Sequence, residues 1–466
     1  MARGQKKENL TPEERLQAAL VPESEQPYKI PGNWCWVKVG TVSKAKGGKR
    51  LPKGRTFLEE KSDYPYIRVT DFDNESICIE NVKYIDSDTH MMIKNYTISS
   101  ADIYISIAGT IGKVGIIPEE LEGANLTENA AKITDINGAY QLYLMLFLKS
   151  EVAQNQMKDS TISTTQPKLA LFRIEDILLP LPPLSEQQRI VDYIERLFAK
   201  LDEAKQKAQD ALDSFETRKA AILYKAFAGE LTAQWRKEHG VGMESWRRIP
   251  LKKCGSWYGG GTPSMGHPEY WENGTLLWVT SKDMKNDLIE DTLMHTNMLG
   301  VENSSANYIE EPAVLFVMRS GILRRTFPVC MVKKPFTVNQ DLKALVPTDD
   351  INLEYLFWVC KANEKQILEK CMKSGTTVES INTTALRDFE IPIAEENEQV
   401  EIVRILDDLL TKEQQAKEAA EKVLEQIDLI KKSILARAFR GELGTNDPSE
   451  ESAVELLRQV LSTSDM

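Results

Sequence analysis

Six basic side chains lie within twelve residues near the start of the chain, and no acidic residue separates them. They are Lys44, Lys46, Lys49, Arg50, Lys53 and Arg55. Glycines at positions 47, 48 and 54 predict a flexible loop, whose backbone could follow a chain of phosphates while the cationic groups bind the oxygens. The stretch therefore predicts a phosphate-binding surface. The alternative is a solvated loop without a partner.

The second half of the chain carries a different set of groups suited to related chemistry. Its glycine loop is Tyr258-Gly259-Gly260-Gly261-Thr262-Pro263-Ser264, and a basic run follows from Arg319 to Lys334. Glycine lets backbone amides approach phosphates, whereas Arg, Asn, Gln and Thr side chains can bind base edges in the major groove of DNA. The candidate DNA-binding residues are Lys44, Lys46, Lys49, Arg50, Lys53, Arg55, Arg68, Thr70, Thr110, Lys113, Gly260, Gly261, Thr262, Ser264, Thr280, Ser281, Lys282, Arg319, Ser320, Arg324 and Arg325.

Catalytic chemistry has little support in the sequence. The segment Gly109-Thr110-Ile111-Gly112-Lys113-Val114 comes nearest to an ATPase phosphate loop, but it lacks the required spacing and hydroxyl. Six scattered cysteines and four histidines predict no catalytic residue, metal site or disulfide framework. The polar N-terminus and the lack of a long apolar stretch predict a reduced, cytoplasmic protein. The net charge of −12 is opposite to the usual nucleic-acid signature.

An internal repeat must position these groups. Residues 185–231 align without a gap to residues 397–443, and 18 of the 47 positions are identical. We call the constant difference in numbering between aligned positions the repeat offset. Apolar residues recur every three or four positions in both copies, which predicts two long helices with a coiled-coil seam. The seam departs from this pattern at Glu413, opposite Leu201. Two such helices on one chain are expected to pair antiparallel; an ordinary helical hairpin core is the alternative.

The repeat divides the rest of the chain into two globules. Short β-rich runs such as Tyr66–Val69 and Ile103–Ile107, each set followed by a late helix, predict mixed α/β (α+β) globules. The late helices are predicted at Ala139–Met157 and Leu353–Met372, and matching threonine loops follow at 163–165 and 375–377. The predicted segments are an N-terminal arm (1–27), globule (28–180), helix (181–231), connector (232–245), globule (246–392), helix (393–443) and tail (444–466).

These segments resemble the specificity subunits of type I restriction–modification enzymes over nearly the whole chain. Several motifs carry the resemblance: Pro180-Leu181-Pro182-Pro183-Leu184-Ser185-Glu186-Gln187, Tyr66-Ile67-Arg68-Val69-Thr70-Asp71-Phe72, Ser163-Thr164-Thr165-Gln166-Pro167-Lys168-Leu169, Gly261-Thr262-Pro263, Trp278-Val279-Thr280-Ser281-Lys282-Asp283-Met284 and Arg319-Ser320-Gly321. Each motif alone is only modest evidence for the family. Together, in this order and with the duplicated helix, the motifs are specific for the family.

The resemblance implies a subunit without catalysis of its own. Each globule is expected to be a target recognition domain that binds one half of a bipartite double-stranded DNA target, with the helix pair holding the two apart. Two modification subunits are expected on the outward faces of the helices, with Phe227 and Phe439 as subunit-binding anchors; a local capping contact is the alternative for these two side chains. Restriction subunits are expected to join the complex. S-adenosylmethionine, ATP and Mg are expected on those partners, with no cofactor on this chain, in the cytoplasm of a prokaryotic cell.

Two other classes of function stay open at this point. A coiled-coil scaffold with two protein-binding globules would suit the acidic net charge and the long heptads. A self-contained DNA-modifying enzyme would need cofactor motifs that the sequence lacks. A basic groove in each globule would favour DNA recognition over the scaffold.

Overall fold

The computed structural model describes residues 11–159, 167–373 and 378–463. It divides the chain into two compact units, one formed by residues 1–208 and 422–466 and the other by residues 209–421. Each unit therefore combines one globule with a segment of each long helix. The predicted threonine loops at 163–165 and 375–377 lie outside the described residues.

Short strands make up the sheets of both globules. In the first, they are β1 (Cys35–Lys38), β2 (Lys44–Gly47), β3 (Pro65–Ile67), β4 (Phe72–Asp73), β5 (Ser76–Ile77), β6 (Lys83–Tyr84), β7 (Thr97–Ile98), β8 (Ile103–Ser106), β9 (Val114–Gly115), β10 (Ala124–Leu126), β11 (Ala130–Thr134) and β12 (Leu178–Leu181). In the second, they are β13 (Arg247–Pro250), β14 (Gly255–Gly259), β15 (Leu276–Val279), β16 (Leu288–Ile289), β17 (His295–Thr296), β18 (Ala313–Val317), β19 (Val329–Val332), β20 (Phe336–Val338), β21 (Leu342–Pro347) and β22 (Glu390–Ile393).

The helices follow the same division. Those before the second globule are α1 (Pro12–Ala19), α2 (Val39–Val42), α3 (Ser87–Ile93), α4 (Gln141–Lys149), α5 (Glu151–Asp159), α6 (Leu171–Glu175), α7 (Leu184–Asp213), α8 (Phe215–Phe227) and α9 (Ala233–His239). Those after its first strand are α10 (Met298–Glu302), α11 (Leu353–Ala362), α12 (Glu364–Cys371), α13 (Thr383–Asp388), α14 (Glu396–Ala438) and α15 (Ala453–Thr463).

Equivalent sheets organise the two globules. One sheet has the order β2-β11-β8-β9 in the first globule and β14-β21-β18-β19-β16 in the second. A smaller sheet is built on a parallel pair, β3 with β10 and β15 with β20. The strands that open and close each globule pair antiparallel, Cys35 with Leu181 and Arg247 with Ile393, and the second pair lies at the repeat offset from the first. The predicted mixed α/β architecture is confirmed, and the repeat extends beyond the helices.

Within each unit the helical segments run antiparallel. In the first unit, Leu435 and Ala438 share a buried core with Ile190 and Ile194. Lys431 Nζ lies 2.6 Å from Asp202 Oδ1, a contact that is later on α7 but earlier on α14. The second unit repeats the arrangement, because Ile402 and Leu406 share a core with Leu223 and Ala226. Numbers rise along one helix as they fall along its partner, as the apolar seam predicts.

The interruption of the seam at Glu413 has a partner in the second unit. Glu413 Oε2 accepts a hydrogen bond from Arg218 Nε at 2.8 Å. The charged seam residue is thus satisfied by a cation on the facing helix.

The first long helix is not continuous, contrary to the prediction from the repeat. It is divided at Ser214 into α7 and α8, whereas α14 runs unbroken for 43 residues. The Ser214 hydroxyl donates to the carbonyls of Asp210 and Ala211 at 2.9 and 3.1 Å. Such bonds compete with the backbone ladder, and the equivalent residue of α14, Gln426, has no hydroxyl.

Both late helices are also divided. The predicted helix at Ala139–Met157 is broken at Ser150, whose extended backbone (φ −63°, ψ 154°) separates α4 from α5. The helix predicted at Leu353–Met372 breaks at Asn363, whose amide donates to the carbonyl of Val359 at 2.7 Å. In both globules a short polar side chain ends the first segment.

The N-terminal arm and the C-terminal tail fold together on the first unit. Helix α1 in the arm and helix α15 in the tail bury Leu16 and Leu457. Arg458 Nη2 lies 3.4 Å from Glu13 Oε1, and the N–H of Ala453 donates to the carbonyl of Asn33 at 2.9 Å. Both ends of the described chain thus belong to one core.

Candidate nucleic-acid interface

In each globule, two parallel strands end level with each other, and they do so at equivalent positions of the repeat. In the first, Ile67 on β3 is level with Leu126 on β10. In the second, Val279 on β15 is level with Val338 on β20, and both residues lie at the repeat offset from their counterparts. Loops that follow adjacent parallel strands leave the sheet at a common edge, so the residues after β3 and β10 lie together, as do those after β15 and β20.

A glycine backbone is pressed against that edge in both globules. A Cβ atom on Gly48 would overlap the carbonyls of Leu126 and Thr127, and one on Gly260 would overlap the carbonyl of Val338. We call residues 48–50 with 126–128 the first glycine edge, and residues 260–262 with 338–340 the second glycine edge. Only glycine permits this close approach.

Aromatic residues fix the backbone beside each glycine. The Tyr66 hydroxyl donates to the carbonyl of Lys49 at 2.7 Å, and Trp278 Nε1 donates to the carbonyl of Gly261 at 3.1 Å. The Lys49 N–H also donates to the carbonyl of Leu126 at 2.8 Å. The prediction of a flexible loop at 44–55 is therefore wrong for residues 44–49, because residues 44–47 form β2 and pair with β11, and backbone and side-chain bonds hold residues 48–49 to the sheet.

The side chains on the two edges differ while their positions match. On the first glycine edge, Arg50 Nε donates to Glu128 Oε1 at 2.8 Å. On the second, the Thr262 hydroxyl donates to Gln340 Oε1 at 2.7 Å. The two pairs are related by the repeat offset, and Arg50, Thr262 and Gln340 are exposed. One scaffold thus presents a guanidinium in the first globule and an amide in the second.

Two of the predicted contact residues hold their own turns instead. Arg68 donates to both carboxylate oxygens of the buried Asp71 and to the carbonyl of Asn81. At the equivalent position of the second globule, the N–H and hydroxyl of Thr280 donate to Asp283 Oδ2 at 2.8 and 2.7 Å. These side chains already have partners within the protein, so their contribution is to shape the loops after β3 and β15.

The acid-free basic loop acquires acidic neighbours from distant parts of the sequence. Lys46 Nζ and Lys44 Nζ lie 3.1 and 3.9 Å from Asp135 Oδ2, and the hydrogen bond from Lys46 holds the pKa of Asp135 below its usual value. Arg55 Nη1 lies 3.5 Å from Asp86 Oδ1. Lys49 and Lys53 are exposed, and within the described ranges neither forms an ion pair. These two lysines are the cations best placed for an external anion.

The remaining candidates lie on loops around the sheets. In the first globule, Ser106 Oγ donates to the carbonyl of Thr110 at 2.5 Å and accepts from the N–H of Lys113 at 2.9 Å, so this turn is fixed while the Lys113 side chain is exposed. In the second globule, Arg324 is paired with Glu379. The other remaining candidates of the second globule that are exposed to solvent are Ser264, Lys282, Arg319 and Arg325. Ser281 and Ser320 are half-buried there. In the first globule, Thr70 is exposed.

Tryptophan–glutamate pairs join each globule to its following helix. Trp34 Nε1 donates to Glu186 Oε2 at 2.8 Å, and Trp246 Nε1 donates to Glu398 Oε2 at 2.9 Å, so the second pair again lies at the repeat offset from the first. Glu186 and Glu398 are fully buried. Such polar contacts at a helix start fix its direction relative to the sheet.

The adjacent glutamines complete the joint. Gln187 Oε1 accepts from the N–H of Tyr140 at 2.7 Å, and Gln399 Oε1 accepts from the N–H of Asn352 at 2.8 Å. The repeat contains this signal, because two consecutive polar residues are identical at the start of both helices. Extending the alignment upstream at the same offset, to Trp34 with Trp246 and Gly48 with Gly260, would have located both the joint and the glycine edges.

The proposed anchor residues for a partner subunit are core residues. Phe439 is fully buried in the first unit, with its ring 5.4 Å from Tyr143 and 5.2 Å from Phe147. Phe227 is half-buried and packs 5.4 Å from Tyr355 in the second unit. The expectation that Phe439 binds a modification subunit is therefore wrong, because its side chain is fully buried in its own unit, as the alternative of a local contact predicts. For the half-buried Phe227 it stays a prediction.

The described ranges contain neither a cluster of metal-binding residues nor a membrane-spanning helix. No group of three or more His, Cys, Asp or Glu residues there could hold a metal ion. No helix there combines the length and apolar character needed to cross a bilayer.

The sequence matches the family model for the type I restriction modification DNA specificity domain twice, over residues 31–212 and 243–426. The chain belongs to this family. Each match contains one globule, one glycine edge and the start of one long helix, so the family's domain coincides with the repeated structural element. The resemblance inferred from the sequence motifs is confirmed.

Individual relatives agree with this membership. The chain is 32% identical over 269 residues to the EcoR124I/EcoR124II specificity subunit of Escherichia coli, covering 58% of this chain and 62% of that protein. It is 21% identical over 437 residues to the EcoKI specificity subunit of Escherichia coli strain K12, covering 89% and 90%. Alignments with the EcoBI and MjaIX specificity subunits span 38% and 44% of those proteins, so these and the EcoR124I match each cover less than two thirds of the relative.

A solved structure shares the fold. The HsdS subunit from Thermoanaerobacter tengcongensis matches with a TM-score of 0.65 at 20% identity, covering 90% of this chain and all of that one. The likeness supports the architecture of two sheet-containing globules with long helices.

Proposed function

We propose that this protein is the DNA-recognition subunit of a type I restriction–modification complex and that it has no catalytic activity of its own. Each glycine edge recognises one half of a bipartite double-stranded DNA target. The observation that carries the proposal is the repetition of one edge in two globules, with the backbone geometry retained and the side chains changed. A protein that binds two different half-sites needs this combination.

The acidic net charge is compatible with this function because the charges are unevenly placed. Exposed cations occur on the loops of both globules, at Lys49 on the first glycine edge and Lys53 shortly after it, and at Arg319 and Arg325 in the second globule. Phosphate contacts need a local cationic surface, and they position a protein on the duplex without conferring sequence preference. Much of the acidic charge lies in the helices and tail, away from these loops in the sequence.

Modification subunits are proposed to bind the outward faces of the long helices. Leu429, 64% exposed on α14, and Tyr224, 70% exposed on α8, offer apolar contact there. The partners would supply the S-adenosylmethionine-dependent methylation and, with restriction subunits, the ATP- and Mg-dependent cleavage.

Genome-wide methylation mapping tests the proposal. Deleting the gene from its host should abolish methylation at one bipartite motif, and restoring it on a plasmid should bring the same motif back. The modification subunit must stay expressed in both strains. A scaffold role predicts that the set of methylated motifs is unchanged by the deletion, which would refute DNA recognition by this chain.

A further inference from the structure

Equivalent positions on the two glycine edges carry side chains with different hydrogen-bonding capacity. The first edge has Arg50 beside Glu128, and the second has Thr262 beside Gln340. Because the backbone beneath both pairs is held by the same glycine and aromatic contacts, the side chains occupy comparable places in their globules. Chemical differences at matched positions are the natural source of different base preferences.

Arg50 is held by one of its nitrogens and leaves the others available. Its Nε donates to Glu128 Oε1, while Glu128 Oε2 accepts from the Thr127 hydroxyl at 3.0 Å, so the carboxylate is itself fixed. The Arg50 side chain is 78% exposed and that of Glu128 is 27% exposed. The terminal guanidinium nitrogens can therefore present two parallel donors, the geometry that matches O6 and N7 of guanine.

The carboxylate also favours a base over a phosphate as the partner of Arg50. Attraction to phosphate depends on net positive charge, and Glu128 offsets the charge of Arg50 at 2.8 Å. The directional donors persist after this neutralisation. Lys49, which has no such carboxylate among the described residues, is the better phosphate ligand of the two.

Gln340 is held by its oxygen. The Thr262 hydroxyl donates to Gln340 Oε1, which fixes the orientation of the amide and leaves its NH₂ group and one oxygen lone pair available. A donor beside an acceptor on one planar amide matches N7 and the N6 amino group of adenine. The second glycine edge is thus suited to an adenine where the first is suited to a guanine.

We propose that Arg50, oriented by Glu128, recognises a guanine in one half-site, and that Gln340, oriented by Thr262, recognises an adenine in the other. This assignment rests on the proposed function, because it names the base contacts of the same two edges.

The test is competition binding by the complex assembled with its modification subunits, using duplexes in which each base pair of the target is replaced in turn. Arg50→Lys keeps a positive charge but lacks the paired donors of a guanidinium. It should lower discrimination at one G·C pair of one half-site by about 10-fold or more and leave the other half-site unchanged. Gln340→Ala should do the same at one A·T pair of the other half-site.

Lys49→Ala is the matched control on the first edge. It should weaken binding to all duplexes alike without changing any base preference. Glu128→Gln and Thr262→Val, which remove only the orienting groups, should give smaller losses at the same two base pairs as their partners.

The possible outcomes separate the two proposals. A wild-type complex without any bipartite sequence preference would refute the proposed function. A wild-type complex with a bipartite target that Arg50→Lys and Gln340→Ala both leave unchanged would refute only the base assignment. Loss of discrimination at pairs of the other type, or in the same half-site for both variants, would also overturn it.

Discussion

At the scale of single residues, the surroundings of each cation decide whether it can bind a DNA phosphate. Lys44, Lys46 and Arg55 lie in one basic cluster in the sequence, yet each has an acidic partner in the folded protein. Lys49 has none among the described residues and lies 5.5 Å over the ring of Tyr96. The cluster is thus divided into internally paired groups and groups free for an external anion.

Replacing Lys49 tests this division. Lys49→Ala should weaken DNA binding about equally for all sequences, and the slope of log K against log salt concentration should fall by about 0.9, as expected for one lost phosphate contact. Lys207→Ala is the control, since Lys207 lies on α7 and pairs with Glu203 at 2.6 Å. Equal slopes for wild type and Lys49→Ala, measured by titration over a range of salt, would show that Lys49 does not contact phosphate.

Replacing the buried glutamates at the starts of the two long helices, Glu186 and Glu398, with uncharged glutamine should affect the free energy of unfolding differently. Burial raises the pKa of Glu186, so the folded protein holds that proton more tightly than the unfolded chain. The resulting stabilisation is present at acidic pH and is lost as the pH rises through the folded-state pKa. Glu398 instead forms a buried ion pair with Arg236 at 2.5 Å.

Glu186→Gln should therefore leave the free energy of unfolding at neutral pH unchanged or higher, because the amide oxygen can still accept from Trp34. Glu398→Gln should lower it by about 3 kcal/mol, because a buried guanidinium loses its counter-charge. Chemical denaturation of the two variants at pH 5 and pH 8 makes the comparison. Equal effects at neutral pH would contradict the assigned roles.

Local sequence does not show the partners that a side chain acquires on folding. Phe439 and Arg68 were assigned outward functions from local sequence, but their partners, Tyr143 and Asp71, become neighbours only on folding. Glu128 and Gln340, which the proposed base contacts require, were not among the candidates because nothing in their immediate sequence marks them. A side chain's partners depend on strand pairing, which a single sequence specifies poorly.

At the scale of elements, the long helices were the most predictable part of the fold. Their 3.5-residue apolar repeat and closing glycines are local signals, and Gly229 and Gly441 do adopt positive φ values of 77° and 74° at the helix ends. The division at Ser214 was not predicted, since one hydroxyl on a continuous apolar pattern is a weak signal. Short strands were placed less accurately because their bounds depend on their neighbours.

The helix length is predicted to set the spacing between half-sites. The 43 residues of α14, at about 1.5 Å per residue, make a helix about 64 Å long. Inserting one heptad after Ala208 and another after Ala420 keeps the seam in phase and adds about 10 Å, or about three base pairs of DNA. Methylation of a spacer-length library should then shift to a spacer longer by about three base pairs.

A control for that experiment inserts the heptad in only one helix. The seam would then be out of register, and assembly should fail rather than change spacing. A preferred spacer that stays at its original length in the doubly extended protein would mean that the helices only brace the fold.

At the scale of the whole molecule, the chain is one structural element used twice. The repeat offset relates Trp34 to Trp246, Gly48 to Gly260 and Glu186 to Glu398, all of which keep their contacts. The core of each unit includes the end of the long helix that follows the other globule. Phe439 contributes to the first unit in this way, and Phe227 to the second. The elements that build the fold are repeated, and the side chains on the glycine edges are free to differ.

Exchange of one globule with that of another family member tests the central claim most directly. Residues 247–393 should be replaced as a block, so that the paired strands β13 and β22 move together and Trp246 and Glu398 stay with the recipient. A reciprocal chimera replaces residues 35–181, from β1 to β12. Methylation motifs are then mapped in cells that express each chimera with the recipient's modification subunit.

Each chimera should methylate a hybrid target, with one half-site from the donor and the other unchanged, and the two chimeras should alter opposite halves. Spacer length should stay that of the recipient, because its helices are retained. A chimera that assembles normally but changes both half-sites, or neither, would contradict the claim that each globule recognises one half of the target.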